Sequence, residues 1–257
     1  MVTPLRGEPA PLGATPGPDG VNFSVWAGAS REVELLLYER ADDDAPRRVI
    51  ALQPHRHRSY HYWHLFVPGL RAGQIYAWRT RGAPGGGDGC GRDGDKVLLD
   101  PYGRAMVRPA GYSREAARRP GRNDAVACKS VVVDTRRYDW EGDAPLRRPY
   151  AQTVIYEMHV GGFTRHPSSG LAPQRRGTYG GVVDKIPYLR ELGITAVELL
   201  PVFAFDEQDA PQGLTNYWGY APMSFFVPHG GYSQCGGGAG VLDEFRDMVK
   251  ALHRAGI

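Results

Sequence analysis

The hydrophobic period of the chain changes near residue 150, and this change limits the fold more than any other feature. Before it, apolar residues alternate with polar ones over short runs. After it, they run continuously or recur at helical spacing. A period of two puts successive side chains on opposite faces of a strand, whereas a period of 3.6 paints one stripe on a helix. One polypeptide therefore carries the patterns of two different layer architectures.

In the first region, Val21, Phe23, Val25 and Ala27 alternate with polar residues. Val33 to Tyr38, Val49 to Leu52, Tyr62 to Val67 and Ile75 to Thr80 follow, separated by Gly, Pro and Asp clusters such as Pro68-Gly69. Several short strands at this spacing predict an antiparallel sandwich over 1–110. Residues 111–150 are rich in Arg, Pro and Asp and read as a connecting segment, with one apolar run at Ser130 to Val133.

Beyond Tyr150, Thr153 to Val160 and Ile194 to Leu200 are apolar runs suited to strands covered on both faces. Between them, Val182, Val183, Ile186, Leu189 and Leu192 fall at helical spacing. Pro187 must kink or divide that helix, and Gly193 ends it. Val241, Phe245, Met248, Val249 and Leu252 mark a second helix, with Asp243 and Glu244 expected in its first turn and Lys250, His253 and Arg254 in its last. The order strand, helix, strand, helix predicts a parallel sheet. A closed (β/α)8 barrel takes about 250 residues, so 151–257 reads as the first two βα units of an incomplete barrel.

Charge and cysteine content narrow the function. Lys+Arg 31 against Asp+Glu 28 leaves a formal charge of +3, too small for binding to nucleic acid or a membrane surface through charge. The arginine doublets, such as Arg118-Arg119 and Arg136-Arg137, are scattered and read as solvated loops. Cys90, Cys128 and Cys235 are far apart and form no CxxC pair, which argues against a disulfide framework or a zinc knuckle. With no apolar N-terminal core of a signal peptide and no spanning segment, the expected compartment is the cytoplasm. Gly89, Gly91 and Gly94 spell GxGxxG, but a strand ended by Pro101 follows instead of a helix, so no dinucleotide site is expected.

Strings spread along almost the whole chain resemble the bacterial glycogen-debranching enzymes and isoamylases of the α-amylase superfamily. They include GATPGPDGVNFSVWA, VELLLYER, WHLFVPGLRAGQIYAWR, KVLLDPYGRAM, TVIYEMHVGGFTRHPSSG, KIPYLRELGITAVELLPVFAFDEQD, NYWGYAPMSFFVPHGGYS and EFRDMVKALHRAGI, in the order and at the spacing of that family. The resemblance implies a carbohydrate-binding-type β-sandwich followed by a catalytic barrel that hydrolyses α-1,6 branch linkages of glycogen or a related α-glucan by a retaining, two-carboxylate mechanism. It also implies that the carboxylates follow later barrel strands, beyond Ile257. No catalytic residue is therefore carried over, no cofactor is expected, and the chain alone is expected to be inactive. The chain departs from the family in its glycine-rich loop around Cys90. Two alternatives are a non-catalytic α-glucan-binding module and a branching or trehalose-releasing member of the same superfamily.

Two residues do carry over. Tyr220 matches the tyrosine that stacks on the sugar beside the scissile bond in that family, and Trp218 matches a neighbouring contact. Aromatic residues near prolines also simply pack loops. Among the remaining candidates, His55, His57, His61 and His64 crowd one segment, where an edge strand and loop is expected rather than a metal site. Trp26, Trp63 and Trp78 are either core or glucan platforms. Glu157, His159 and Glu198 read as interior strand residues, and Asp206, Glu207 and Asp209 as a cleft rim.

Overall fold

The computed structural model describes residues 3–28, 30–82 and 94–257; the glycine-rich stretch with Gly89, Cys90 and Gly91 lies outside them. The backbone divides into two compact units. One contains residues up to Asp134 together with Ser224–Val227; the other contains Thr135–Met223 and Pro228–Ile257.

Among the described residues, the first unit contains the short strands β1 (Leu5–Arg6), β2 (Gly13–Pro16), β3 (Gly20–Trp26), β4 (Ser30–Tyr38), β5 (Arg48–Ala51), β6 (Arg58–Ser59), β7 (Tyr62–Pro68), β8 (Ile75–Gly82), β9 (Ala105–Val107) and β10 (Lys129–Val131). It also contains a single helical turn, α1 (Pro54–His57), and a short helix, α2 (Arg114–Arg118). One sheet runs β1-β7-β3-β2 with β6 on β7, and the other runs β5-β4-β8-β10-β9. The pairings described are antiparallel.

The alternation in the sequence sets the register. Val21, Phe23 and Val25 of β3 lie opposite Val67, Leu65 and Trp63 of β7, and all six are buried. They pack with Leu35, Leu37, Tyr76 and Trp78 of the second sheet. Phe23 lies at the centre, with edge-on rings at 5.0 Å (Tyr76) and 6.4 Å (Trp78). Beneath them Asp100 is buried as a carboxylate that accepts from the Tyr76 hydroxyl (2.9 Å), the Trp78 indole N–H (3.2 Å) and the Tyr102 backbone N–H (2.8 Å). Burial raises its pKa above the usual carboxylate range, against the pull of these donors.

The segment expected to connect, 111–150, is divided. Its first part joins the first unit, because β10 pairs with both β8 and β9. Lys129 in that strand is buried and donates to the carbonyls of Ala41, Asp124 and Ala127. Its second part belongs to the other unit. There Glu141 pairs with Lys250 and Arg254, Asp143 with His253, and the Tyr138 hydroxyl donates to Asp247 at 2.6 Å.

The second unit contains β11 (Ile155–Met158), α3 (Val160–Arg165), α4 (Tyr179–Asp184), α5 (Ile186–Glu191), β12 (Ala196–Leu199), β13 (Phe203–Phe205) and α6 (Ala239–Arg254). A further strand, β14 (Pro222–Pro228), includes the four residues grouped with the first unit. β11 and β12 pair in parallel, with the helices α3, α4 and α5 in the connection between them. Pro187 does separate α4 from α5, and Gly193 follows in a left-handed conformation at φ +80.

Three expectations need correction here. Helix α6 begins at Ala239, so Asp243 and Glu244 lie past its first turn; Glu244 instead accepts from the Ser233 hydroxyl and the Gln234 N–H. The strand β11 is not covered on both faces, since Val154 and Ile155 are exposed. Glu157 and Glu198 are register partners on β11 and β12, and both face solvent. No described helix is long and apolar enough to cross a membrane.

Candidate functional site

The loop of residues 206–221, between β13 and β14, carries NYWGY as a braced turn. Asn216 donates its side-chain N–H to the Asp206 carbonyl (3.1 Å) and accepts the Gly219 N–H (3.1 Å), while its own backbone N–H reaches the Glu207 carbonyl (3.0 Å). Gly219 sits at φ +85, and a Cβ there would lie 2.7 Å from the Phe205 ring. The turn therefore requires glycine on both counts. This positions Trp218 and Tyr220 on the outside, 63% and 67% exposed, with ring centroids 6.4 Å apart.

Beneath them lies a packed aromatic layer. Tyr217 stacks flat on His159, with centroids 4.2 Å apart and planes 7° from parallel. The ring of His159 is fixed by three contacts. Its Nδ1 accepts the Gly162 N–H at 2.9 Å, which places the proton of the neutral ring on Nε2. That N–H donates to the Tyr217 carbonyl at 2.8 Å, with the Tyr232 hydroxyl 3.1 Å away. A Cβ on Gly162 would lie 2.5 Å from the Tyr217 hydroxyl. The two glycines after His159-Val160 thus let helix α3 start under the loop.

Burial, then the proximity of Tyr217, pushes the Tyr232 phenol up to about 12, so its hydroxyl keeps its proton at neutral pH. Tyr232 also packs on His229, which stacks on Phe205 at 3.7 Å and faces Glu207 at 3.4 Å. Tyr179 closes the layer from below by donating to the carbonyls of His229 and Val202.

The loop that carries the exposed rings of Trp218 and Tyr220 is thus held by these hydrogen bonds and by the His159–Tyr217 stack. A pyranose offers apolar C–H faces and a rim of hydroxyls, and an indole or phenol ring complements both. Tyr217, Tyr232 and His229 complete the arrangement without having been singled out beforehand. The available signal was the two-glycine step after His159, which demands a close neighbour.

The other candidates separate. His159 caps α3 rather than filling the interior of a strand. Asp206 is buried and organises the loop by accepting the Gln208 N–H, so it is not an open rim residue. Trp63 and Trp78 are core, whereas Trp26 is exposed. The histidines of 55–64 do not share a strand face: His57 lies in α1 and accepts the Gln53 N–H, while His64 lies on β7 beside the Ser59 hydroxyl. Among the described residues no three metal-ligating side chains converge.

Residues 11–103 match the family described as carbohydrate-binding module 48 (isoamylase N-terminal domain). Over 98% of its length the chain is 42% identical to a glycogen debranching enzyme of Salmonella paratyphi B, covering 38% of that protein. It is 39% identical to the glycogen debranching enzyme of Yersinia enterocolitica over its whole length, covering 39% of it. Isoamylase 1 of rice chloroplasts is 36% identical over 98% of the chain, which covers 32% of the rice protein. The chain therefore spans under two fifths of the length of these relatives. Among solved structures, a pullulanase from Paenibacillus barengoltzii in complex with maltohexaose and α-cyclodextrin superposes with a TM-score of 0.74 at 26% identity, covering 98% of this chain and 37% of that one.

Proposed function

For a chain that is similar along its length to the glycogen debranching enzymes and isoamylases and carries their type of β-sandwich, we propose that it forms the N-terminal part of a cytoplasmic debranching glycoside hydrolase. In this reading the parallel pair β11–β12 with its helices is the start of a (β/α)8 barrel. The exposed face carrying Ile155, Glu157 and Glu198 is where further elements of a longer protein pack. The domain division in this reading is a sandwich over 1–110 joined by β10 of the 111–150 segment, the rest of that segment packing with the barrel units over 151–257.

The substrate is a branched α-glucan. The observation that carries this assignment is the pair Trp218 and Tyr220, held outward by Asn216, Gly219 and the His159–Tyr217 stack. In a barrel, the loops that follow the strands line the site, and this loop follows β12. The rings bind the sugar beside the branch linkage and orient it. A retaining cleavage also needs two carboxyl groups about 5 Å apart, and this reading assigns neither of them to residues 206–221.

The test has two arms. Purified 1–257 should release no reducing ends from glycogen limit dextrin; measurable release would refute the division of labour. A chimera with 1–257 in place of the matching segment of the Yersinia enterocolitica enzyme should release linear chains. Tyr220→Ala in that chimera should lower kcat/KM roughly tenfold or more. A folded chimera that cleaves equally well with and without Tyr220 would remove the loop from the site.

A further inference from the structure

One residue under the 206–221 loop has more chemistry than its local role demands. His159 caps α3, its Nδ1 accepting the Gly162 N–H at 2.9 Å. A short side-chain oxygen meets that need, and this chain caps α2 with Ser113 and α4 with Thr178 in that way. An imidazole at the same position adds a flat ring and a second nitrogen on the side away from the cap.

Both additions act on one residue of the loop. The ring stacks on the Tyr217 side chain, and Nε2–H donates to the Tyr217 carbonyl at 2.8 Å. That carbonyl belongs to the peptide that leads into Trp218, with Gly219 and Tyr220 next in the chain. The backbone of α3 is shaped to allow this. A Cβ on Gly161 would lie 3.0 Å from His159 Cε1 and 3.2 Å from Tyr232 Cε1, and one on Gly162 would lie 2.5 Å from the Tyr217 hydroxyl. His159 also follows β11 directly, so it lies at the C-terminal end of a parallel strand, the end at which barrel sites are built.

We propose that His159 is a positioning residue: through Tyr217 it sets the place of Tyr220 against the sugar, and this role belongs to its Nε2 and ring rather than to its cap on α3. The proposal rests on the functional reading above, which makes Tyr220 a sugar contact.

The two nitrogens can be separated by substitution. In His159→Asn the amide oxygen stands near Nδ1, so the cap is kept and the reach to Tyr217 is lost. In His159→Gln the amide nitrogen stands near Nε2, so the donor to Tyr217 is kept and the cap is lost. In the chimera with the Yersinia enterocolitica enzyme, His159→Asn should unfold close to the parent yet lower kcat/KM roughly tenfold. His159→Gln should unfold earlier and keep the larger share of kcat/KM. Added to Tyr220→Ala, His159→Asn should cost less than about twofold more, because both changes act on the same sugar contact. A second measurement needs no cleavage: maltohexaose titrated into 1–257, followed by tryptophan fluorescence, should bind roughly tenfold more weakly to His159→Asn and less weakly to His159→Gln.

If Tyr220→Ala is impaired while His159→Asn matches the parent, the proposal is overturned and the functional reading stands. An Asn loss that adds in full to that of Tyr220→Ala, or a Gln variant worse than Asn in both kcat/KM and binding, would also overturn it and leave His159 a cap alone. A silent Tyr220→Ala removes the functional reading, and this proposal with it.

Discussion

The sandwich core of the first unit and the 206–221 loop of the second place their aromatic residues in opposite ways. In the first, Phe23, Trp63, Tyr76 and Trp78 are buried between two sheets, and their polar atoms have partners within the core. In the second, a two-stranded parallel sheet leaves Ile155 exposed, and an equally braced aromatic layer ends in two rings directed at solvent. Aromatic rings bury large apolar areas where they are covered. The sandwich core covers these rings, whereas the loop leaves Trp218 and Tyr220 uncovered, which is what a binding surface requires.

The contrast breaks first at Phe23. Phe23→Ala removes a ring of zero exposure that is packed edge-on by Tyr76 and Trp78. It should cost about 3–5 kcal/mol in a urea titration followed by circular dichroism. If the loss were below about 1 kcal/mol, the first unit would not be the tightly packed partner in the comparison. Asp100→Ala comes next. It strands the Tyr76 hydroxyl, the Trp78 indole N–H and the Tyr102 N–H in a buried site, at about 3 kcal/mol. Asp100→Asn restores an acceptor and should recover part of that loss.

A smaller effect sharpens the second unit. Arg175 grips Asp184 with two N–H groups at 2.7 Å and also reaches the Gly180 carbonyl and Gln234. The guanidinium holds the Asp184 carboxyl below the usual carboxylate range. A carboxyl whose pKa falls on folding stabilises the fold above its unfolded pKa, and that contribution disappears as pH drops through the folded value. Both side chains are about one third exposed, so solvent screens the pair and it contributes about 1 kcal/mol. Asp184→Asn should therefore destabilise by that amount at pH 7 and by less with each step into acid. A difference that stays constant across the acid range would show that the carboxylate charge is not what holds α4.

These units also differ in how far the sequence discloses them. The alternation at Val21, Phe23 and Val25 leads directly to the sandwich, and Pro187 and Gly193 mark the helix break and stop where they occur. β10 escapes because three residues hold no measurable period, and nothing in the sequence shows the three backbone carbonyls that surround Lys129. The start of α6 escapes because Ala239 and Gly240 continue a glycine-rich run with no capping side chain. At the site, Trp218 and Tyr220 are singled out by the family resemblance that NYWGY carries. Their support is not, since His159 and Tyr217 stand 58 positions apart and only tertiary packing brings them into a stack. Asp206 misleads for a related reason: an aspartate among acidic neighbours looks solvated, while its carboxyl and carbonyl are in fact spent on the turn.

The last effect is expected to be the smallest and decides what the uncovered rings are for. Trp218 and Tyr220 are each about two thirds exposed, and the bonds that shape their loop come from Asn216, Gly219 and His159 rather than from either ring. Replacing both with alanine should therefore change stability by no more than about 0.5 kcal/mol, at the level of ordinary surface substitutions. A ring held for packing would register its removal in the urea midpoint, as Phe23 does. A ring held for a ligand registers it only when the sugar is present. The double variant should unfold with the wild-type chain in buffer, and an excess of maltohexaose should raise the wild-type midpoint while leaving the variant's unmoved. A double variant that lost 2 kcal/mol or more in buffer would place these rings with the core and remove the contrast between the two units.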